Sequence, residues 1–369
     1  MPPPSKHILI LTAAFGEGHN SAARNLAASL AELGHPARVA DPCLLGAPAA
    51  TRLLCRLYRL VTTRAPRLWL AAYRSADRID FRRARFPLMR APERHLGHLL
   101  AGGRFAAVAC TYPLYPYFLE RLFAAGTPRL PVFTIVTDSI EINAAWRRAP
   151  ADHWLVTDPL TRQRLVGAGL PAARVAETGF PVSPAFTRLA PVPPDDPADP
   201  FRILYFPTAR RPHVQPIGAA LLAAAGDRTR LTIVLGRNFR PLYHRARRLR
   251  EQFGPRVSIK AWTRRVPELM CSHHLVVGKA GGATVHEALA AHCPMIVHHL
   301  VPGQEQGNLM LLQQVGAGWL AESPARITTT VRDLLADDAA GWHHAKHRLA
   351  RLGRRAGATT AARFILDHC

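Results

Sequence analysis

Short apolar runs alternate with helical patterns along the chain, and nine of these runs predict β-strands. Each run is continuously apolar, which is typical of parallel strands that helices cover on both faces. Strands that alternate with helices indicate an α/β protein with doubly wound sheets. The predicted strands are 7–12, 108–111, 132–137, 154–157, 202–206, 231–235, 257–261, 275–278 and 295–298.

A proline-rich segment divides the chain into two parts. Residues 190–200 read APVPPDDPADP, and five prolines in so short a stretch exclude a helix or a central strand. A new apolar run, FRILYF, begins directly afterwards. We therefore expect two Rossmann-like domains, residues 1–189 and 201–369, that face each other across a cleft. We also expect the last helix to pack back on the N-terminal domain.

Composition excludes several classes of protein. Of the 369 residues, 48% are hydrophobic and 20% are charged, which excludes a disordered chain. No apolar stretch approaches the ~20 residues of a membrane span, and the first residues lack the pattern of a secretory signal. The six cysteines are scattered and none has zinc-site spacing. This pattern favours reduced thiols in a cytosolic protein and predicts no metal site.

Net charge predicts an anionic partner. The chain has 48 basic and 25 acidic residues, a formal charge of +23. Such an excess indicates contact with nucleic acid, a membrane surface or a phosphorylated substrate.

The first glycine loop, FGEGHNSAA, has two interpretations. Gly16, Gly18 and Ser21, with Asp41 at the end of the next strand, match part of a dinucleotide fingerprint. That match predicts an NAD-dependent oxidoreductase. In the other interpretation His19 lies at the start of a helix that Asn20 or Ser21 caps and that Gly34 ends. The dipole of this helix keeps the imidazole neutral and available as a general base.

A second glycine loop follows the predicted strand that ends near Lys279. Gly281 and Gly282 predict a tight turn, and a helix is expected to begin near Thr284. The backbone N–H groups of a helix start can hold a diphosphate. Glu287, one turn into that helix, can accept both hydroxyls of a ribose.

A polar loop, PGQEQGN, follows the next predicted strand. Its Gln304, Glu305 and Asn308 are suited to several sugar hydroxyls. Loops that follow consecutive parallel strands open on the same crevice, so we expect the two loops to share one ligand.

Six segments together carry a resemblance to a known family. They are TAAFGEGHNSAA at 12–23, VTD at 136–138, TGFPVSPAF at 178–186, LGRN at 235–238, GKAGGATVHEA at 278–288 and PGQEQGN at 302–308. In this order they resemble the monogalactosyldiacylglycerol synthases and processive diacylglycerol glucosyltransferases of glycosyltransferase family 28. These GT-B enzymes are related to the peptidoglycan enzyme that adds N-acetylglucosamine to a lipid-linked sugar.

The resemblance implies an inverting transfer of galactose or glucose from a UDP-sugar to diacylglycerol or a related membrane lipid. It implies an acceptor site on the N-terminal domain, a donor site on the C-terminal domain, and no tightly bound cofactor. His19 would be the base or orient the acceptor, with Asp138 as its partner or rival. The implied donor contacts are the diphosphate at Gly281, Gly282, Ala283 and Thr284, the ribose at Glu287, uracil at 260–266, and the sugar at Gln304, Glu305 and Asn308.

Two departures from the family pattern concern the substrate sites. Where the family has a glycine-rich loop after the first strand of the C-terminal domain, this chain has FPTARRP. There Thr208, Arg210 and Arg211 would replace backbone N–H groups at the diphosphate. The histidine that often follows the VTD aspartate by four residues is Ile142, with Asn143 next.

Residues 52–104, here called the basic arm, are the most cationic segment. They contain thirteen arginines against three acids, with leucines at helical spacing and interleaved aromatic residues. Such a segment suits the surface of an anionic membrane. The alternative is a solvated arginine face whose apolar stripe packs onto the N-terminal domain.

The combined prediction is a peripheral enzyme of glycolipid biosynthesis on the cytoplasmic side of the cell membrane, with no nucleic-acid partner. Three alternatives remain open. They are a UDP-N-acetylglucosamine transferase acting on a lipid-linked acceptor, an NAD-dependent oxidoreductase, and a basic membrane- or nucleic-acid-binding module without activity.

Overall fold

Two units make up the protein, each built on its own sheet. The computed structural model describes residues 5–84, 86–208, 213–237, 239–353 and 356–369. The first unit comprises Met1–Pro184, Pro302–Gly307 and Ala356–Cys369, and the second comprises Ala185–Val301 and Asn308–Arg355. The hexapeptide Pro302–Gly307 thus belongs to the first unit, although the strand before it belongs to the second.

The first unit contains six parallel strands in the order β2-β1-β3-β4-β5-β6. The strands are β1 (Ile8–Leu11), β2 (Ala37–Ala40), β3 (Ala107–Cys110), β4 (Val132–Ile135), β5 (His153–Val156) and β6 (Val175–Glu177). The helices are α1 (Glu17–Glu32), α2 (Pro42–Gly46), α3 (Pro48–Arg64), α4 (Pro66–Ala76), α5 (Arg90–Ala101), α6 (Tyr115–Ala124), α7 (Ala144–Arg147), α8 (Pro159–Gly167) and, at the end of the chain, α15 (Gly357–Asp367).

Alternate residues of β1 show how this sheet is covered on both faces. Ile8 and Ile10 pack in a cluster with residues of α1 and α15, whereas Leu9 and Leu11 pack in another with residues of α5 and α6. All four side chains are fully buried. The continuously apolar pattern therefore reflects burial on both faces, as predicted.

The second unit contains six more parallel strands in the order β12-β11-β10-β7-β8-β9. The strands are β7 (Arg202–Tyr205), β8 (Arg230–Val234), β9 (Val257–Lys260), β10 (Leu275–Lys279), β11 (Met295–His299) and β12 (Gly318–Leu320). The helices are α9 (Val214–Ala224), α10 (Phe239–Phe253), α11 (Val266–Ser272), α12 (Gly282–Ala290), α13 (Gln306–Val315) and α14 (Pro324–Leu352).

The proline-rich segment 190–200 packs on the second unit. The Val192 amide donates to the Cys271 carbonyl at 2.9 Å, and Asp196 lies 2.9 Å from Nε2 of the buried His274. These contacts hold the segment beside β7. The domain limits drawn around it from the sequence stay a prediction.

All nine predicted strands are present, together with the strand predicted before Asp41. The chain also forms β6 and β12, which the sequence pattern did not predict. Each has only three residues and lies at the edge of its sheet, so its apolar signal is short. Within the described part of the chain, no helix is both long and apolar enough to cross a membrane.

Candidate active site

His19 lies in the first turns of α1, beside the carboxyl ends of the central strands. Its Nδ1 atom is 3.0 Å from Oγ1 of Thr137, which follows β4. Burial lowers the pKa of His19 to about 4, and a hydrogen bond with the Thr111 backbone opposes this shift only in part. The imidazole is therefore neutral near pH 7. The main cause of the lowered pKa is burial, and not the helix dipole that was expected from the sequence.

The predicted N-cap of α1 was wrong. The helix begins at Glu17 after Gly16, and Asn20 lies inside it, with its side-chain oxygen 3.0 Å from the Thr12 hydroxyl. Gly34 ends the helix as expected, with a positive φ of 82°.

Asp138 follows Thr137 and faces the same cavity as His19. Its Oδ2 atom accepts a hydrogen bond of 2.9 Å from the indole nitrogen of Trp146 on α7. The Trp146 ring in turn lies 6.1 Å from the His19 ring, centroid to centroid. The structure thus brings together the two residues predicted to share the base role.

The cavity that contains His19 and Asp138 has a volume of about 610 Å³, which is in the range of small-molecule sites. Its lining is mostly apolar and aromatic, with a few polar groups. The lining residues are Phe15, His19, Leu54, Leu57, Tyr58, Val61, Leu68, Trp69, Ala72, Tyr73, Ala76, Phe81, Tyr112, Pro113, Leu114, Asp138, Asn143, Ala145, Trp146 and Gln304. Burial raises the pKa of Tyr73 and Tyr112, so both phenols stay neutral.

Helices α3 and α4 of the basic arm form a wall of this cavity and also carry exposed leucines. Leu53 and Leu60 are 56% and 45% exposed, and Leu57 and Leu68 are exposed while they also line the cavity. Neither of the two sequence interpretations of the arm foresaw this double role. The apolar stripe is divided between a cavity wall and an uncovered surface.

The loop 302–307 packs on the same helices within the first unit. Oε1 of Gln304 accepts a hydrogen bond of 2.8 Å from the Tyr58 hydroxyl. Glu305 is buried, with 4% of its surface exposed. Gln304 had been predicted to bind the donor sugar, and its contact with Tyr58 was not foreseen.

The second glycine loop lies in the second unit as predicted. Strand β10 ends at Lys279, Gly281 precedes the helix, and α12 begins at Gly282, two residues earlier than expected. Ala283 and Thr284 occupy its first turn, and its N-cap residue, Gly281, makes no side-chain cap hydrogen bond. The first backbone N–H groups of a helix have no partner within the helix itself. Glu287 is partly buried one turn further on.

Asn308 on α13 contacts the second glycine loop within the second unit. It is 1% exposed, and its side-chain amide donates to the Ala280 carbonyl at 3.0 Å. This bond holds the start of α13 against the loop before α12. Thr208, three residues beyond β7, is partly buried. Arg210 and Arg211 fall outside the described residues.

Asp41 has a structural role, which argues against the dinucleotide interpretation of the first loop. Its carboxylate accepts hydrogen bonds from the Ala14 amide at 2.8 Å, the Leu44 amide at 2.9 Å and the Tyr115 hydroxyl at 3.2 Å. Asp41 thus caps α2 and closes the turn after β1. The carboxylate oxygens of Asp41 are therefore already used as hydrogen-bond acceptors within the protein, whereas the dinucleotide interpretation needs them for the ribose hydroxyls.

The two residues that depart from the family pattern after Asp138 have different positions. Ile142 packs against the apolar cluster around Trp146. Asn143 caps α7 by accepting a 2.9 Å hydrogen bond from the Ala145 amide, and it also lines the cavity. The polar group of the cavity wall at this position is therefore the side-chain amide of Asn143.

Comparison with known proteins supports the resemblance. The family model described as monogalactosyldiacylglycerol (MGDG) synthase matches residues 19–182. A processive diacylglycerol beta-glucosyltransferase of Bacillus subtilis (strain 168) is 24% identical over 355 residues, with 90% of this chain and 88% of that protein covered.

Solved structures share the fold across both units. MurG of Acinetobacter baumannii superposes with a TM-score of 0.64 at 12% identity, covering 99% of this chain and 100% of the other. LpCGTa, solved in complex with UDP, gives a TM-score of 0.59 at 15% identity, with 99% of each chain covered. The predicted GT-B fold, with two Rossmann-like domains, and the predicted class of enzyme, a glycosyltransferase, are confirmed. Residues 19–182 thus resemble the monogalactosyldiacylglycerol synthases, and the chain is similar over 90% of its length to a processive diacylglycerol beta-glucosyltransferase.

Proposed function

We propose that this protein transfers a hexose from a UDP-sugar to diacylglycerol or a related membrane lipid, with inversion at the anomeric carbon, while bound to the surface of an anionic membrane. The observation that carries this proposal is the apolar cavity of about 610 Å³ whose wall contains His19 and Asp138. An acceptor with a hydroxyl head and apolar chains fits such a lining. A sugar or a nucleotide would need more polar partners.

His19 is the proposed base. In the tautomer that protonates Nδ1, that nitrogen donates to Thr137 and leaves the lone pair of Nε2 for the acceptor hydroxyl. The hydroxyl proton moves to Nε2 as the hydroxyl oxygen bonds to the anomeric carbon and the bond to UDP breaks. Asp138, oriented by Trp146, places a carboxylate at the same wall, where it favours the imidazolium that forms.

The proposed donor site lies on the second unit, at the start of α12. The backbone N–H groups of Gly282, Ala283 and Thr284 lie at the start of this helix, where they would favour the negative charge that develops on the leaving diphosphate. Glu287 would accept the ribose hydroxyls. Thr208 and Arg210 are proposed as further contacts of the diphosphate. Gln304, Glu305 and Asn308 are proposed to contact the sugar or to support the residues that contact it.

The basic arm is the proposed membrane contact, on the cytoplasmic side of the cell membrane. Its exposed leucines, Leu53, Leu57, Leu60 and Leu68, stand among arginines on α3 and α4. Arginines attract anionic headgroups, and leucines gain free energy when they enter the acyl region. Exposed leucines favour a membrane over nucleic acid, because a polyanion offers them no apolar environment.

The test is a transfer assay with the purified protein. It is incubated with UDP-glucose, UDP-galactose or UDP-N-acetylglucosamine and vesicles of phosphatidylglycerol that contain diacylglycerol, and labelled lipid and free UDP are measured. We expect a glycosylated diacylglycerol and one UDP per sugar with at least one hexose donor. Absence of product with all donors, or protection against heat unfolding by NAD and not by UDP, would refute the proposal.

A further inference from the structure

Tyr58 connects the acceptor cavity to the loop that carries Gln304. The phenol lines the cavity, and its hydroxyl donates to Oε1 of Gln304 at 2.8 Å. Because Oε1 is engaged by a donor, the amide has a defined orientation. Its Nε2 atom, with two N–H donors, is then the group left for the oxygen atoms of another partner.

Tyr58 is itself held firmly by the arm. Its ring meets the Trp69 ring edge-on, with 5.0 Å between centroids and an interplanar angle of 79°. Its backbone carbonyl accepts a hydrogen bond of 2.8 Å from the Thr62 hydroxyl one turn later. The hydroxyl therefore projects from a packed helix pair and can fix the position of a bonded side chain.

Two glycines allow the loop 302–307 to lie close to its neighbours in the first unit. A Cβ atom on Gly303 would lie 2.7 Å from the Tyr73 ring, and Gly303 has a positive φ of 80°. A Cβ atom on Gly307 would clash with the Ser139 carbonyl oxygen, directly after Asp138. These close approaches leave the loop little freedom, so the hydroxyl of Tyr58 bonds a side chain on a loop whose backbone is already held in place.

We propose that Tyr58 is a positioning residue for the donor sugar: by bonding Gln304 it turns the amide N–H groups to the sugar, and it thereby links the acceptor cavity to donor recognition. The inference rests on the proposed function, because Gln304 is proposed there as a sugar contact. Loss of the Tyr58 hydroxyl is expected to weaken donor recognition and to leave the chemical step intact.

The experiment is steady-state kinetics on the full chain with Tyr58→Phe, Gln304→Ala and the double variant. The donor that wild type uses is varied at a saturating level of diacylglycerol in phosphatidylglycerol vesicles. Tyr58→Phe keeps the ring contact with Trp69, so vesicle binding should equal that of wild type. We expect KM for the UDP-sugar to rise about three- to tenfold with kcat within about twofold, as for the loss of one hydrogen bond.

The double variant separates positioning from a structural effect. If Tyr58 acts through Gln304, adding Tyr58→Phe to Gln304→Ala should raise KM no further. The matched control is Tyr117→Phe, which removes another tyrosine hydroxyl bond in the same unit, a 3.0 Å bond to the Ala145 carbonyl. It should leave KM for the UDP-sugar within about twofold.

The outcomes are distinguishable. An active wild type with an unchanged KM in Tyr58→Phe, or with additive effects in the double variant, overturns the role of Tyr58 and leaves the proposed function standing. A wild type that transfers no sugar from any of the three donors removes the proposed function, and the inference falls with it.

Discussion

Nδ1 of His19 lies 3.0 Å from Oγ1 of Thr137, and the residue after Thr137 is Asp138, which lines the same cavity. The loop after β4 thus brings a hydrogen-bonding partner and a carboxylate to the imidazole from adjacent positions. Thr137 and Asp138 thus give His19 of the first unit the neighbours expected of a general base at the wall of a cavity for an apolar acceptor.

Replacing His19 by Gln should lower kcat by about 100-fold or more, because the proposed base for the acceptor hydroxyl is removed. Affinity for UDP should not change, since His19 belongs to the other unit from α12. Transfer assays and calorimetric titration with UDP measure the two effects. His95→Gln on α5 is the control and should be fully active. If His19→Gln kept turnover within a few-fold, Asp138 would become the candidate base.

Glu287→Ala should weaken UDP binding about tenfold or more, because the carboxylate proposed to accept two ribose hydroxyls is lost. The melting temperature should change little, since Glu287 is only partly buried. Titration calorimetry with UDP and a thermal melt provide the measurements. Glu251→Ala, at an exposed ion pair with Arg247, is the matched control. Equal UDP affinity in both variants would remove the ribose assignment.

Replacing Leu53, Leu57 and Leu60 together by Glu should reduce binding to phosphatidylglycerol vesicles by at least about tenfold. The reason is that exposed leucines no longer enter the acyl region and the added carboxylates repel the headgroups. Vesicle co-sedimentation at low and high salt measures the effect. Val39→Glu, at another exposed apolar position, is the control for added charge and should bind normally. Normal binding by the triple variant would contradict the membrane role of the arm.

Asp41→Ala should lower the free energy of unfolding by about 2–4 kcal/mol, because three hydrogen bonds are broken and donors of the first unit lose their acceptor. Its affinity for UDP should equal that of wild type. Urea denaturation and titration calorimetry measure both. A stability close to that of wild type, or loss of a measurable NAD affinity in the variant, would restore the dinucleotide interpretation of Asp41.

Acidification should lower the stability of the protein before most carboxylates titrate. Burial lowers the pKa of His19, His273 and His274 to about 4, below the ordinary value of 6.5. The unfolded chain therefore takes up protons first, and the free energy of unfolding should fall as pH drops from about 6.5 towards 4. The slope is at most about 1.4 kcal/mol per pH unit for each ring. Urea midpoints between pH 8.5 and 5 test this. A constant midpoint below pH 6.5 would contradict it, and constancy above pH 7 is the internal control.

The local pattern of the chain determined the two sheets, the nine apolar strands, and the glycine turns before α1 and α12. These features depend on residues that are neighbours in sequence, so periodicity and turn chemistry suffice to predict them. The motif segments around His19, Gly281 and Gln304 also carried the family resemblance without a structure.

Tertiary packing decided which polar groups meet. Three hydrogen bonds illustrate this. They join Thr137 and His19, Tyr58 and Gln304, and Asn308 and Ala280, which are 118, 246 and 28 positions apart. No local pattern encodes such pairs, because a side chain's partner depends on how helices and loops pack around the sheet ends. For the same reason the sequence suggested that Asp41 binds a ribose, whereas in the folded chain its carboxylate accepts hydrogen bonds from backbone amides.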